Sequence, residues 1–281
     1  MGKKVILITN DDGFDAVGLQ KLVEAVSPLG EVWVVAPAHH KSACGHSLTL
    51  TRPLRLVEVG ERFYKIDDGT PTDGIFIALA HLFRERKPDL ILSGINHGAN
   101  MGEDVTYSGT IGGAMEGAIH DIPAIAFSQV LTSFERAEEE EKGKVELLER
   151  ERSIDWKNAQ KVAYLLTKGV LEGKITIPHR HLLNVNIPNV KKLKGFQITR
   201  AGYRHYLNDI VVNRDPRGNS YFWIGLHPLS FKEEPGTDFW AIKQGKVSIT
   251  PLTMDLTAYR DLPQLEGELT QFLEEEKEEK G

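Results

Sequence analysis

Apolar residues fall along this chain in short runs separated by stretches with helical spacing. Val5 to Ile8 is a continuous apolar run, and Leu19, Leu22, Val23 and Val26 then recur at helical intervals until Pro28 and Gly30 stop them. Val32 to Ala36 is a second apolar run ended by Pro37, and Leu48 to Val59 alternates as one or two extended segments do. Thr72 to Arg84 predicts a helix capped by Thr72, with Ile75, Ile77, Ala78, Leu79 and Leu82 on its apolar side. Leu90 to Leu92 and Ala124 to Phe127 predict further buried strands, each introduced by a proline-containing turn. Strands alternating with helices specify a mostly parallel sheet joined by crossover helices.

Beyond residue 130 the pattern changes. The stretch from about Leu131 to Trp156 is charge-dense and weakly periodic, which reads as a surface helix or mobile insertion. Asn158 to Leu171 predicts a helix and Leu182 to Ile187 a strand. After Pro188, the segments Phe196 to Arg200, Tyr221 to Gly225 and Lys246 to Thr250 read as strands separated by polar turns, an antiparallel extension. The pattern therefore divides the chain into an α/β domain over residues 1–190, a β-rich arm over 191–260 and an acidic tail over 261–281. Runs of Glu and Lys, as at Glu138 to Glu141 and Glu274 to Lys280, read as solvated helix faces or frayed ends.

Composition narrows the partners. With 281 residues and 41% hydrophobic content the chain can bury a substantial core. A net charge of −6 gives no overall attraction for nucleic-acid backbones, although a small phosphorylated ligand can still meet a local positive field. No apolar stretch approaches a membrane span and the N-terminus lacks a secretory pattern, so a cytoplasmic location is expected. Cys44 is the single cysteine, which excludes an intrachain disulfide and a thiolate metal cluster; its small neighbours point to a packed thiol.

The first apolar run leads straight into Thr9-Asn10-Asp11-Asp12-Gly13. Open α/β sheets bind ligands at the carboxyl ends of their strands, where both carboxylates fall. Two neighbouring carboxylates repel, so one holds a proton or a cation lies between them. Oxygen donors of this kind suit Mg²⁺, Mn²⁺ or Ca²⁺ better than zinc. A capping Asp followed by a turn Asp accounts for the segment alone, but other polar segments converge on the same edge. Strand two delivers Ser42, Gly45, His46 and Ser47; the strand ending at Leu92 delivers Ser93 to Asn100; the strand ending at Phe127 delivers Ser128 and Gln129. Carboxylates, amides, hydroxyls and glycines without an arginine cluster or aromatic cage fit a metal–phosphate site.

Tyr107-Ser108-Gly109-Thr110-Ile111-Gly112-Gly113 places small residues at a helix start, where backbone N–H groups can donate to an anion. It matches neither the Walker pattern nor the G-x-G-x-x-G fingerprint, and close helix–sheet packing also requires such glycines. His39, His40, His46 and His97 lie in these loops, but their spacing matches no ligand motif, and His179 and His181 fit surface or interface packing.

Taken together, Asn10-Asp11-Asp12-Gly13, Ser42-Ala43-Cys44-Gly45-His46-Ser47, Gly69-Thr70-Pro71-Thr72-Asp73, Ser93 to Gly102, Tyr107-Ser108-Gly109-Thr110, Leu183 to Pro188, Asp215-Pro216-Arg217-Gly218, Gly236-Thr237-Asp238 and Val247 to Leu252 resemble the SurE family of stationary-phase survival proteins. Order and spacing agree over roughly residues 4 to 257; the acidic stretch 131–156 and the last two dozen residues carry no such resemblance. The resemblance implies a Rossmann-like three-layer α/β/α domain with a C-terminal arm exchanged between subunits of a homodimer or homotetramer. It implies one divalent cation per subunit, Mg²⁺ or Mn²⁺, held by Asp11, Asp12, Ser42 and Asn96. It implies phosphate binding by Asn10, Asn96, Ser108, Gly109 and Thr110. The reaction implied is hydrolysis of nucleoside 5′-monophosphates, and of 3′-monophosphates, by metal-activated water, with short polyphosphate as a side activity. Asp11 and Asp12 are then the catalytic candidates, Asp11 as ligand, base or nucleophile.

Two rival classes fare worse on the residues. A response-regulator-like module needs a phospho-accepting Asp at the end of a later strand, where this chain has Ser93 and Ser128. A nucleotide-sugar transferase needs a second strand–helix series after residue 150. A pure nucleotide-binding protein differs from an enzyme only in turnover.

Overall fold

The computed structural model describes residues 2–131, 154–205, 210–224 and 231–278. The insertion expected over 131–156 lies mostly outside them. Nine strands form one sheet: β1 (Val5–Thr9), β2 (Glu31–Pro37), β3 (Arg55–Gly60), β4 (Phe63–Asp67), β5 (Leu90–His97), β6 (Ala124–Gln129), β7 (His181–Ile187), β8 (Phe196–Ile198) and β11 (Val247–Thr253). The order across the sheet is β3-β4-β2-β1-β5-β6-β7-β11-β8. The run from β4 to β7 is parallel throughout, β3 is antiparallel to β4 and β11 to β7, and β8 pairs parallel with β11.

β1 is buried on both faces, which is why its residues read as a continuous apolar run rather than an alternation. Ile6 and Ile8 face α1 (Val17–Val26) and α4 (Lys157–Leu171), packing with Leu19, Leu22, Val162 and Leu166. Val5 and Leu7 face the other layer, α2 (Pro71–Ile77) and α3 (Gly109–Ile119), packing with Ile75, Ile111 and Ala114. This is the three-layer Rossmann-like α/β/α arrangement that the resemblance implies, built on the mostly parallel sheet that the pattern predicts.

Several elements differ from the sequence reading. Helix α2 is capped by Thr70, not Thr72: the Thr70 side chain accepts from Asp73 N while the Asp73 side chain accepts from Thr70 N. Pro71 takes the first helical position, where its missing N–H costs nothing, so the helix begins ahead of Thr72. It widens into a π turn over Ala78–Leu82 instead of continuing to Arg84. Of the stretch Leu48 to Val59, only Arg55 onward is strand, and its hairpin partner β4 carries no clear alternation. β5 runs past Leu92 to His97, and β6 runs to Gln129.

The C-terminal part is partly what the sequence suggests. β9 (Ile210–Arg214) and β10 (Ser220–Ile224) form a separate antiparallel hairpin. β8, β11 and the short helix α5 (Asp238–Lys243), by contrast, return to the main sheet, which thus crosses the boundary placed at 190. The acidic tail contains helix α6 (Leu262–Glu278), with Leu262, Leu265, Leu269 and Phe272 at helical spacing and exposed.

Candidate active site

The carboxyl end of β1 meets the start of α3, and Asp11 lies between them. Only 3% of Asp11 is exposed, and its Oδ1 accepts a hydrogen bond from the Thr110 hydroxyl. Burial pushes the Asp11 carboxyl up to about 6; the Thr110 hydroxyl pulls it down and the neighbouring Asp12 charge pushes it further up. Gly109 explains how the helix comes so close. A Cβ there would stand 2.5 Å from Cys44 Sγ, 2.8 Å from Asp11 Cβ and 3.0 Å from Asp11 Oδ2. Gly113 serves the same approach one turn on, where a Cβ would stand 2.6 Å from Thr9 Cγ2.

Asp12 is turned toward the neighbouring strand. Its Oδ2 accepts from His97 N at 2.9 Å, and its Oδ1 is 3.5 Å from His40 Nε2. The same ring nitrogen is 2.9 Å from Ser42 Oγ, so Ser42 reaches Asp12 through His40. Ser42 is exposed. Asn96 lies within β5, just past the pairing irregularity between Ser93 and Asn96, and its amide nitrogen donates to Gly98 O at 3.0 Å. A bulge of this kind re-aims a side chain at the end of a strand.

Asn10 is fully buried. Its Nδ2 donates to Gly13 O at 2.9 Å, while its Oδ1 has no partner among the described residues. Ser108 caps α3 by accepting from Ile111 N at 3.1 Å, which leaves its hydroxyl proton free to donate. The Thr110 hydroxyl is committed to Asp11, a role that the phosphate reading of the sequence does not contain. The geometry thus brings Gly109 and Thr110 against the Asp11 carboxylate, which follows the buried Asn10 in the chain, with Asp12, His40 and Ser42 linked in series beside it.

The loop after β2 is pinned over this cluster. Lys41 N donates to Asp11 O at 2.7 Å and Gly45 N to Tyr107 O at 2.9 Å. Farther along, His46 Nε2 lies 2.8 Å from the buried Glu116, which also meets His120 at 3.1 Å. Cys44 packs against Gly109, and burial together with the Asp11 charge pushes its thiol up to about 11. It is therefore protonated near neutrality and no nucleophile. His40, which the sequence reading weighed only as a metal ligand, gave no signal of its contact with Asp12 because that contact depends on the path of the loop.

Among the described residues no three His, Cys, Asp or Glu side chains converge in a way that could hold a metal ion. A cation here must take two carboxylates and neutral oxygens. The residues fit that requirement: two carboxylates consecutive in the chain, one of them buried, follow Asn10, whose buried Oδ1 has no partner among the described residues, and all are hard oxygen donors.

A mostly parallel sheet covered on both faces, with carboxylates and a glycine-rich helix start at its carboxyl edge, places the chain in the Rossmann-like α/β class. Within that class the chain belongs to the SurE family: the model of the family described as "Survival protein SurE" matches residues 6–208. It is similar to a protein of Nitratiruptor sp. named 5′-nucleotidase SurE, with 51% identity over 267 residues, 94% of this chain and 99% of that one. A protein of the same name from Aliarcobacter butzleri is 50% identical over 269 residues, 94% of this chain and 98% of the relative. The crystal structure of the SurE protein from Aquifex aeolicus, 41% identical, superposes with a TM-score of 0.75 over 92% of this chain and 97% of that chain.

Proposed function

We propose that this chain is a divalent-metal-dependent phosphomonoesterase that releases phosphate from nucleoside 5′-monophosphates, and from 3′-monophosphates, with short polyphosphate as a side substrate. The shared name of its relatives, 5′-nucleotidase, supports the enzyme class. The observation that carries the reading is the buried Asp11 carboxylate, held beside Asp12 and against the glycine-rich start of α3.

Asp11, Asp12, Ser42 and Asn96 would hold one Mg²⁺ or Mn²⁺ ion. When bound, that ion offsets charge on the phosphoryl oxygens and acidifies water. The chain's own residues supply the rest. Asn10, Asn96, the Ser108 hydroxyl and the Gly109 backbone N–H orient the phosphoryl group, and the dipole of α3 favours its negative charge. Thr110 fixes the rotamer of Asp11, so the carboxylate stays aimed at the attack position. Asp11 serves as ligand, and as base or nucleophile if its proton is removed. The site lies in the cytoplasm in this reading; among the described residues no helix is long and apolar enough to cross a membrane.

A homodimer or homotetramer accompanies the reading. Its support is the hairpin β9–β10, which exposes the cross-strand pair Val211 and Trp223 on one face and Val212 and Phe222 on the other. Apolar groups gathered this way are better covered than left in water.

The test is release of free phosphate from a panel of 5′- and 3′-nucleotides with Mn²⁺ or Mg²⁺, run against a chelator. Metal-dependent release from AMP is expected. A protein that binds nucleotide and never releases phosphate would be a binding module instead.

The buried carboxylate also sets a pH dependence. The folded value of Asp11, about 6, lies above the ordinary 3.8, so the metal-free fold holds the proton more tightly than the unfolded chain does. The Asp11 contribution to stability is thus full below 3.8 and is lost as pH rises through about 6, on the order of 3 kcal/mol. A cation replaces that proton. Thermal scans should therefore show a larger stabilisation by the same Mn²⁺ concentration at pH 7.5 than at pH 5, and equal shifts would contradict the assignment.

A further inference from the structure

Asp238 is fully buried and is distant in sequence from every residue of the site. It opens α5, yet that helix is already capped by Thr237, whose hydroxyl oxygen accepts from Trp240 N at 3.3 Å. The Asp238 carboxylate instead gathers three backbone N–H groups. Oδ2 accepts from Gly102 at 2.8 Å, and Oδ1 accepts from Gly202 and from Phe239, each at 2.9 Å. Burial raises its pKa and these three donors lower it. The backbones meet so closely that a Cβ on Gly102 would stand 2.8 Å from Gly202 O, and one on Gly202 would stand 3.0 Å from Asp238 Oδ1.

The same two segments are joined again nearby. Arg204 N donates to Glu103 Oε2 at 2.7 Å, and the Arg204 guanidinium pairs with Asp104. Phe239 stacks on Phe231 with ring centroids 4.7 Å apart and packs with Met101 and Val130. Residues 101–104 are therefore held from the C-terminal side of the chain. They are the middle of the connection whose ends carry Asn96 and Ser108 to Thr110.

We infer that Asp238 is a positioning residue for the phosphate-handling side of the site: by holding Gly102 it sets the path of residues 97–107, and through Gly202 it ties that path to the segment leading toward the β9–β10 hairpin. The inference rests on the function proposed above. It implies that a change in the C-terminal arm reaches the site through this carboxylate, with the Arg204 contacts to Glu103 and Asp104 as companions.

Asp238→Asn keeps the size of the side chain but puts an N–H against one of the backbone N–H groups. The KM for AMP is expected to rise about tenfold, with kcat falling by a smaller factor, since a buried charged acceptor is lost. A purely structural role would lower kcat with the active fraction and leave KM unchanged, and that result overturns the proposal. Hydrogen exchange on the same variant supplies a readout that needs no turnover. Amides of residues 99–108 should exchange faster while β1 and β6 stay protected, and unchanged exchange at 99–108 also overturns it. If the wild-type chain releases no phosphate from AMP, the function falls and exchange still decides the role of Asp238. Should Asp238→Asn not fold, Glu103→Gln, which weakens the companion bond to Arg204 N, should show the same two signatures at about threefold; their absence would sink the inference.

Discussion

Asp11→Asn should cut phosphate release from AMP by roughly a thousandfold or more while leaving the metal-free protein at least as stable as the wild type. The two halves of that expectation come from one fact. Asp11 is a carboxylate with almost no exposure, and burial drives its value to about 6, so the fold bears a cost for keeping it charged at neutral pH. An amide of the same shape still accepts from Thr110 through Oδ1 and carries no charge to desolvate or to repel Asp12. The melting temperature without metal should hold or rise by a few degrees, and the stabilisation gained on adding Mn²⁺ should shrink sharply. Scans with chelator and with Mn²⁺, paired with the phosphate assay, give all three quantities. A variant that loses activity because it melts early would show Asp11 to be structural. Retained turnover would remove it from the chemistry altogether.

The contrast between Asp11 and its neighbours shows what the sequence could reveal. Val5 to Ile8 predicted a buried strand, because that inference depends on contiguous residues, and the strand is buried on both faces; the ligand edge read from the adjacent carboxylates at its end belongs to the proposed function. Gly113 was legible as a close approach for the same reason, although not which residue it approached; Gly109 read only as part of the phosphate loop, and its contact with Asp11 and Cys44 was not legible. Contacts set by loop paths were not legible. His40 meets Asp12 and Ser42 only because the loop after β2 folds back onto the backbone of Asp11. Thr110 read as a phosphate donor, yet its hydroxyl is spent on Asp11. The sequence pattern also placed the break between domains at the change to short strands near 190. β11 rejoins the sheet beside β7 through pairing over about sixty residues of separation, and no local periodicity encodes that.

Gly109→Ala tests the approach of helix and carboxylate directly. One methyl group would have to occupy space 2.5 Å from Cys44 Sγ, 2.8 Å from Asp11 Cβ and 3.0 Å from Asp11 Oδ2. The start of α3 must withdraw, or Asp11 must rotate off the Thr110 hydroxyl. Either movement separates the carboxylate from Ser108 and Thr110 by a fraction of an ångström to an ångström. Displacements of that size cost about a hundredfold when they fall on reacting groups, and overpacking costs about 1–3 kcal/mol in stability. The expected signature is therefore a fall in kcat/KM near a hundredfold with a cooperative urea transition retained at a lower midpoint. Gly267→Ala is the control: nothing lies within 4 Å of a Cβ there, so activity should be unchanged. Adding Cys44→Ala to the Gly109→Ala variant removes the nearest clash and leaves both Asp11 contacts in place. Little recovery is expected from that pair. Full recovery would mean that the thiol is the obstacle and that the carboxylate can move freely, which would overturn the account of why this helix begins with glycine.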